Sequence, residues 1–287
     1  MTGRIAILTP DPRDAYFESR WTDVFEANAA PLIAAGLAVE QRVWTQAQDL
    51  ADFGLVLPLL VWGYPRAHGE WLETVRGWQD ARINMHNPAS VCMWNSDKLY
   101  LGRLAEKGVP VVPTLYADSL SLINMHDAAA RFGTERLVAK PQISSGAWQT
   151  IRWSPGETLE GGPEGPAMVQ PYLQQIETAG EVSLFYFGGR FSHAIAKRPQ
   201  PGDFRVQPEH RGTIETYQPA PDELAAARSI LDAVEEDLLY ARVDMVRAAD
   251  GAPMLIELEL IEPDLYLGYD PSGGAHFANA IKELIAR

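Results

Sequence analysis

One cysteine, Cys92, stands in 287 residues, so no intramolecular disulfide can form. Flanked by Val91 and Met93, it reads as a small buried hydrophobe rather than a nucleophile. Positive charge is scarce: 24 Lys and Arg stand against 38 Asp and Glu, a formal charge of -14. That balance argues against nucleic acid and anionic membrane as partners, since both want basic faces. A nucleotide remains compatible, because it needs only a few local cations. Long apolar runs are missing. The longest, Leu55 to Trp62, contains Pro58 and is far below bilayer-spanning length. The run Ile5 to Leu8 is too short for a signal peptide, so the cytoplasm is the expected compartment. No Gly-x-Gly-x-x-Gly follows the first strand, where Thr9-Pro10-Asp11-Pro12 sits instead, so a dinucleotide fingerprint is absent. No convincing Ser-His-Asp or Cys-His set is found, and His68, His86 and His210 lack metal-ligand spacing.

What is present divides into three regions. At 46% apolar and 22% charged, the composition is that of a globular protein long enough for one large core or two to three smaller units. Strands are expected over Ile5 to Leu8, Val39 to Trp44, Leu55 to Val61 and Ile83 to His86. Helices are expected between them, over Arg20 to Ala35 and Trp71 to Ala81. This alternation predicts an open parallel sheet in residues 1–93. Residues 94–165 hold expected helices over Asp97 to Lys107 and Leu120 to Phe132, and strands over Val109 to Tyr116 and Leu137 to Lys140. A Gly- and Pro-rich stretch from Gly156 to Pro166 marks the next boundary. Residues 166–287 read as mainly antiparallel. The strands Glu181 to Phe187 and Arg190 to Ala196 flank the turn signal Gly188-Gly189, and helices are expected over Asp222 to Leu238 and Ala275 to Ala286.

Near the end, Leu255 to Ile261 places Glu257 and Glu259 in an apolar strand. Alternation puts both acids on one face, with Ile256, Leu258 and Leu260 on the other. Two like charges so close call for a cation between them, and a hard one prefers oxygen ligands. A second strand, Arg242 to Val246, carries Asp244, and the turn Asp250-Gly251 pairs the two. The competing interpretation is an exposed amphipathic hairpin with solvated acids. Lys140 ends an apolar strand before Pro141, and Lys98 opens a helix against the macrodipole. Each is compatible with a purely structural role. The loop Gln142 to Ala147 offers backbone N–H groups to a phosphate, or is a plain turn. Gln170-Pro171-Tyr172-Leu173 ends a strand, where Pro leaves neighbouring backbone groups free. Glu177 and Glu181 lie just beyond. Lys197, Arg198, Arg205 and Arg211 are cations clustered in an acidic chain.

In this order the pieces resemble the ATP-grasp superfamily, in its RimK- and glutathione-synthetase-like branch. The resemblance implies an α/β and α+β fold: a Rossmann-like pre-ATP-grasp domain, then two subdomains that clamp ATP. It assigns Lys98 and Lys140 to the nucleotide, Gln170, Tyr172 and Leu173 to the adenine hinge, and Glu181 or Glu177 to the ribose. Lys197 and Arg205 would contact phosphate, with Arg205 and Lys140 serving catalysis, and Asp244, Glu257 and Glu259 would hold Mg²⁺, or Mn²⁺ in its place. Many members carry Asn where this chain has Glu259. The continuation Leu260 to Leu267 resembles a smaller branch, the cyclo-ligases of cycloserine biosynthesis, which close the ring of O-ureido-D-serine with ATP.

The chemistry so implied is ADP-forming ligation of a small-molecule carboxylate and an amine through an acyl phosphate, within one molecule or between two. Homodimers are the family habit. A non-catalytic ATP-binding regulatory module is the alternative, which a full metal set disfavours. An α/β oxidoreductase is disfavoured by the missing glycine fingerprint. Asp14, Tyr16, Arg20 and Arg66 sit after strand ends, where open α/β sheets place ligands.

Overall fold

The structure is a computed structural model that describes residues 3–14, 16–17, 20–200 and 212–286. The N-terminal unit is a parallel sheet, β2-β1-β3, of β1 (Arg4–Thr9), β2 (Ala38–Val43) and β3 (Leu55–Leu57). The apolar run of β1 follows from burial on both faces. Ile5, Ile7, Leu55 and Leu57 meet Leu32 of α1 (Arg20–Ala34) together with Phe277 and Ile281 near the C-terminus. Ala6, Leu8 and Val56 meet Trp71, Val75 and Trp78 of α2 (His68–Asp80). The strand expected to reach Val61 stops at Leu57, since Pro58 has no N–H for the ladder. The strand expected over Ile83 to His86 is a single bridge between Val56 and Met85.

Two helices lead into the centre: α3 (Ala89–Asn95), which the sequence reading missed, and α4 (Leu99–Glu106). A four-stranded antiparallel sheet follows, ordered β4-β7-β5-β6, from β4 (Leu115–Ala117), β5 (Leu137–Pro141), β6 (Ile151–Trp153) and β7 (Ala167–Pro171). β7 pairs with both β4 and β5 and so completes this sheet. Packed on it is α5 (Leu122–Phe132), which starts where Ser121 Oγ accepts from Asn124 N at 3.2 Å and ends at Gly133 in the left-handed region. A short helix, α6 (Gln175–Thr178), comes next.

The last sheet is five-stranded and antiparallel, β10-β9-β8-β11-β12. Its strands are β8 (Glu181–Phe187), β9 (Arg190–Arg198), β10 (Thr213–Thr216), β11 (Tyr240–Arg247) and β12 (Pro253–Glu259). Leu184, Ala196, Val243 and Leu258 bury one face against Tyr100 and Leu104 of α4 and Ala227 and Ile230 of α7 (Pro221–Asp232). After β12 the chain returns to the N-terminal unit, where α8 (Ala275–Ile285) packs beside α1. No helix among the described residues is long and apolar enough to cross a membrane.

Candidate active site

The opposite face of the five-stranded sheet carries a compact, largely buried polar row. Asp244 stands opposite Glu257 and Ser183, Arg242 opposite Glu259, and Glu181 opposite Lys197. The alternation that sends Val243 and Leu258 into the core sends these residues to one common surface. A β-bulge in the β11–β12 pairing shifts the register between Asp244 and Met245. Leu255 therefore takes the core place expected of Ile256, which is only partly buried.

Asp244, Glu257 and Glu259 each offer one oxygen within 4.8 Å of the others. Asp244 is the buried member, its side chain 2% exposed; Glu257 and Glu259 retain 33% and 25%, so the set opens to one side. Cations ring it. Lys98 Nζ lies 3.2 Å from Glu257 and donates to Ser144 O at 2.6 Å. Lys197 Nζ lies 2.9 Å from Glu181 and 3.6 Å from Asp244. Arg242 donates through Nε to Asp244 at 3.0 Å and through its terminal nitrogen to Glu259. Ser183 Oγ donates to Asp244 at 2.5 Å. Lys140, at the end of β5, feels Glu257 and Glu181, so a cation from the other sheet faces the row.

These environments set the protonation states. Burial works to raise Asp244, but Arg242 and Lys197 outweigh it and hold the carboxyl below its usual range. Burial is likewise outweighed at Glu257, by Lys98 and then Lys140. At Glu259 burial dominates, with Asp244 and Glu257 adding repulsion, and the carboxyl is pushed up to about 8. Burial also lowers the Lys140 amine, partly offset by Glu257. Three hard oxygens converging from two paired strands fit a hard divalent cation, which would also relieve the repulsion at Glu259.

The outer edge of β12 is covered by a parallel backbone bridge from Val111 at Leu255 and, beyond it, by side chains. Asn95 donates to Leu258 O at 2.9 Å and accepts from Leu260 N at 3.0 Å. Tyr100 Oη accepts from Leu258 N at 2.8 Å, and Asn87 donates to Leu260 O at 2.8 Å. An edge strand needs such cover, and here the cover pins the strand that bears Glu257 and Glu259. The sequence reading did not pick out Arg242, Ser183, Asn87 or Asn95. Only Arg242 had a legible signal: a charge two residues from Asp244 on an apolar strand.

On the nucleotide side, Gln170 is buried and donates to Thr114 Oγ1 at 3.0 Å. The Tyr172 N–H, expected to be free, donates to Arg136 O at 2.8 Å, whereas Leu173 N–H has no backbone acceptor among the described residues. Glu181 and Glu177 are separated. Glu181 lies in the row, while Glu177 accepts from Tyr172 Oη and sits 3.6 Å from Arg136 outside it. Arg205, Arg211 and His210 lie outside the described residues. At the N-terminal strand ends, Arg66 pairs with Asp14 at 2.5 Å over the ring of Tyr16, whose centroid is 4.5 Å away. His68 Nε2 bonds Ser96 Oγ at 2.9 Å.

Residues 5–87 match the family model described as the N-terminal domain of D-cycloserine synthetase DcsG. Over 284 residues, 88% of this chain and 92% of the relative, the sequence is 32% identical to the cycloserine biosynthesis protein DcsG of Streptomyces lavendulae. The chain belongs to the DcsG family. Its members are ATP-grasp ligases, enzymes that form a C–N bond. The crystal structure of D-cycloserine synthetase DcsG superimposes with a TM-score of 0.79 at 27% identity, covering 98% of this chain and 99% of that one. The D-alanine–D-alanine ligase of Bacillus anthracis gives 0.72 at 16% identity, covering 99% and 97%. The ATP-grasp ligase PsnB, solved with a precursor variant, Mg and ADP, gives 0.67 at 14% identity, covering 98% of each chain. The last two show that the DcsG family shares the ATP-grasp fold.

Proposed function

We propose that this ligase uses ATP to activate the carboxylate of a small amino-acid-like substrate, and that a nitrogen of the same molecule then closes a ring. The substrate class is that of O-ureido-D-serine. The observation that carries this is the Asp244, Glu257 and Glu259 row ringed by Lys98, Lys140, Lys197 and Arg242. The relative named for cycloserine biosynthesis supports the ring-closing form.

The γ-phosphoryl group passes to the carboxylate, ADP leaves, and the nitrogen displaces inorganic phosphate with loss of its proton. Mg²⁺ or Mn²⁺ held by Asp244, Glu257 and Glu259 would supply charge neutralisation at the phosphates. Lys98, Lys140 and Lys197 offset the remaining phosphate charge from both sheets, and Arg205 is assigned to the same task. Gln170 and Leu173 offer backbone groups to adenine, with Tyr172 beside them. Glu181 takes the ribose, because Glu177 is engaged away from the row. The loop Gln142 to Ala147, tied to Lys98 through Ser144, covers the phosphates and keeps water from the acyl phosphate. Positioning and electrostatics suffice, so no protein nucleophile is required.

A coupled ADP-release screen over amino acids, ureido acids and small peptides, with products identified by mass, tests this. A ring-closed product is expected, with turnover reduced roughly 10²-fold in Glu257→Gln. ADP release indifferent to every carboxylate offered would overturn this reading, and tight ATP binding with no turnover would favour the regulatory-module alternative. We also propose a cytoplasmic homodimer, which sedimentation of the purified chain checks.

A further inference from the structure

Beyond β12 the chain crosses from the acid row to the N-terminal unit, and Glu262 lies at the crossing. Ile261 is buried in the core that contains Trp71, and Leu265 in the core that contains Phe277. Glu262 Oε2 is buried with no hydrogen-bond partner among the described residues. Burial first, then repulsion from Glu259, raises its carboxyl well above the usual range, and the cation that acts on it, Lys98, is already shared between Ser144 and Glu257. Across the seam stands Tyr64, from the turn after β3. Its ring packs 5.2 Å from that of Trp71, and its phenol feels Glu262, Glu257 and Glu259. The Trp71 indole N–H is also buried without a partner among the described residues.

A bare buried acceptor beside like charges costs stability. A carboxylate serving only to pack would be better replaced by an apolar residue. The orphaned oxygen, a carboxyl lacking a cation of its own, and the phenol all lie beside the row where a carboxylate must be activated. They match a small cationic donor rather than another anion.

We propose that Glu262 binds the ammonium group of the substrate, at the seam where Tyr64 stands on the N-terminal side. The ligand class is therefore an amino acid with a free α-amine, its carboxylate lying toward the Asp244–Glu257 pair. This rests on the ligase reading above for the existence of a small carboxylate substrate.

Calorimetry on the full chain with Mg²⁺ and ADP tests it without turnover. The probes are D-alanine against propanoate, and O-ureido-D-serine against its desamino analogue. The wild-type chain should bind each amine-bearing probe at least about tenfold tighter than its partner. Glu262→Gln should bring that ratio close to one, whereas Glu262→Asp, which keeps the charge, should retain part of it. ADP affinity and a thermal melt report whether each variant is folded. A wild-type ratio near one overturns the proposal even if no variant folds, and so does a ratio that survives in Glu262→Gln. Absence of carboxylate-dependent ADP release would overturn the proposed function while leaving this ratio to be read independently.

Discussion

Arg242 and Glu259 stand opposite each other in the β11–β12 ladder, and the guanidinium closes onto that carboxylate while also holding Asp244. One buried cation thus joins two of the three candidate metal ligands. Replacing it leaves Glu259 without its ion-pair partner and Asp244 with only Lys197 and Ser183. Arg242→Met should lose about 3 kcal/mol of unfolding free energy in metal-free buffer, because an uncompensated buried charge is the costly case. Mg²⁺ should restore part of the loss if the acids share a metal. Urea titrations with and without Mg²⁺ measure both effects, and equal stability of the two proteins in metal-free buffer would contradict the role given to this pair.

The separation of Glu181 from Glu177 gives a second expectation. Glu181 pairs with Lys197 in the row, and Glu177 pairs with Tyr172 and Arg136 outside it. Losing one hydrogen bond to a charged group should raise the KM for ATP about tenfold in Glu181→Gln. In Glu177→Gln the change should stay within about twofold, as for an exposed pair. Steady-state kinetics at saturating substrate separates the two, and the reverse order would move the ribose to Glu177.

Asn95 completes the backbone of the metal strand from the side. Asn95→Ala would strand Leu258 O and Leu260 N in a buried setting, at about 1–3 kcal/mol for each unsatisfied group. A loss of about 3 kcal/mol with an unchanged urea m-value is expected, with weaker metal binding because the strand carrying Glu257 and Glu259 is no longer clamped.

Burial pushes the Cys92 thiol up to about 12 from 9.0, and its Sγ donates to Asn87 O at 3.6 Å. The folded state therefore favours the protonated thiol. Its contribution to stability is fully present below pH 9 and is lost as pH rises through about 12. At pH 8 a thiol reagent should label Cys92 only after unfolding, so that labelling and the loss of tertiary signal follow one urea curve. Prompt labelling of the native protein would contradict this.

Much of the fold was legible because the relevant signals are local. The unbroken apolar run Ile5 to Leu8 predicts a strand covered on both faces, and Gly188-Gly189 and Asp250-Gly251 mark hairpins that the structure contains. Extended runs were over-read where a strand needs a partner that the chain does not supply. Leu55 to Val61 is ended by Pro58, and Val109 to Tyr116 breaks into a single bridge from Val111 to Leu255 and the short strand Leu115–Ala117. The helix α3 escaped notice because its seven residues carry too few turns to show a period.

At the site, the sequence alone determined which acids could share a face. The spacing of Glu257 and Glu259 and the turn before them dictate that, since strand alternation is a property of the backbone. Tertiary structure decided what those acids meet. The register sets Asp244 against Glu257, and the bulge puts Leu255 rather than Ile256 in the core. Lys98 and Lys140 face the row from far away in sequence, and Glu262 is left bare beside Tyr64 at the seam with the N-terminal unit. Charge balance and solvent exclusion depend on distance in space, and no spacing along the chain encodes that.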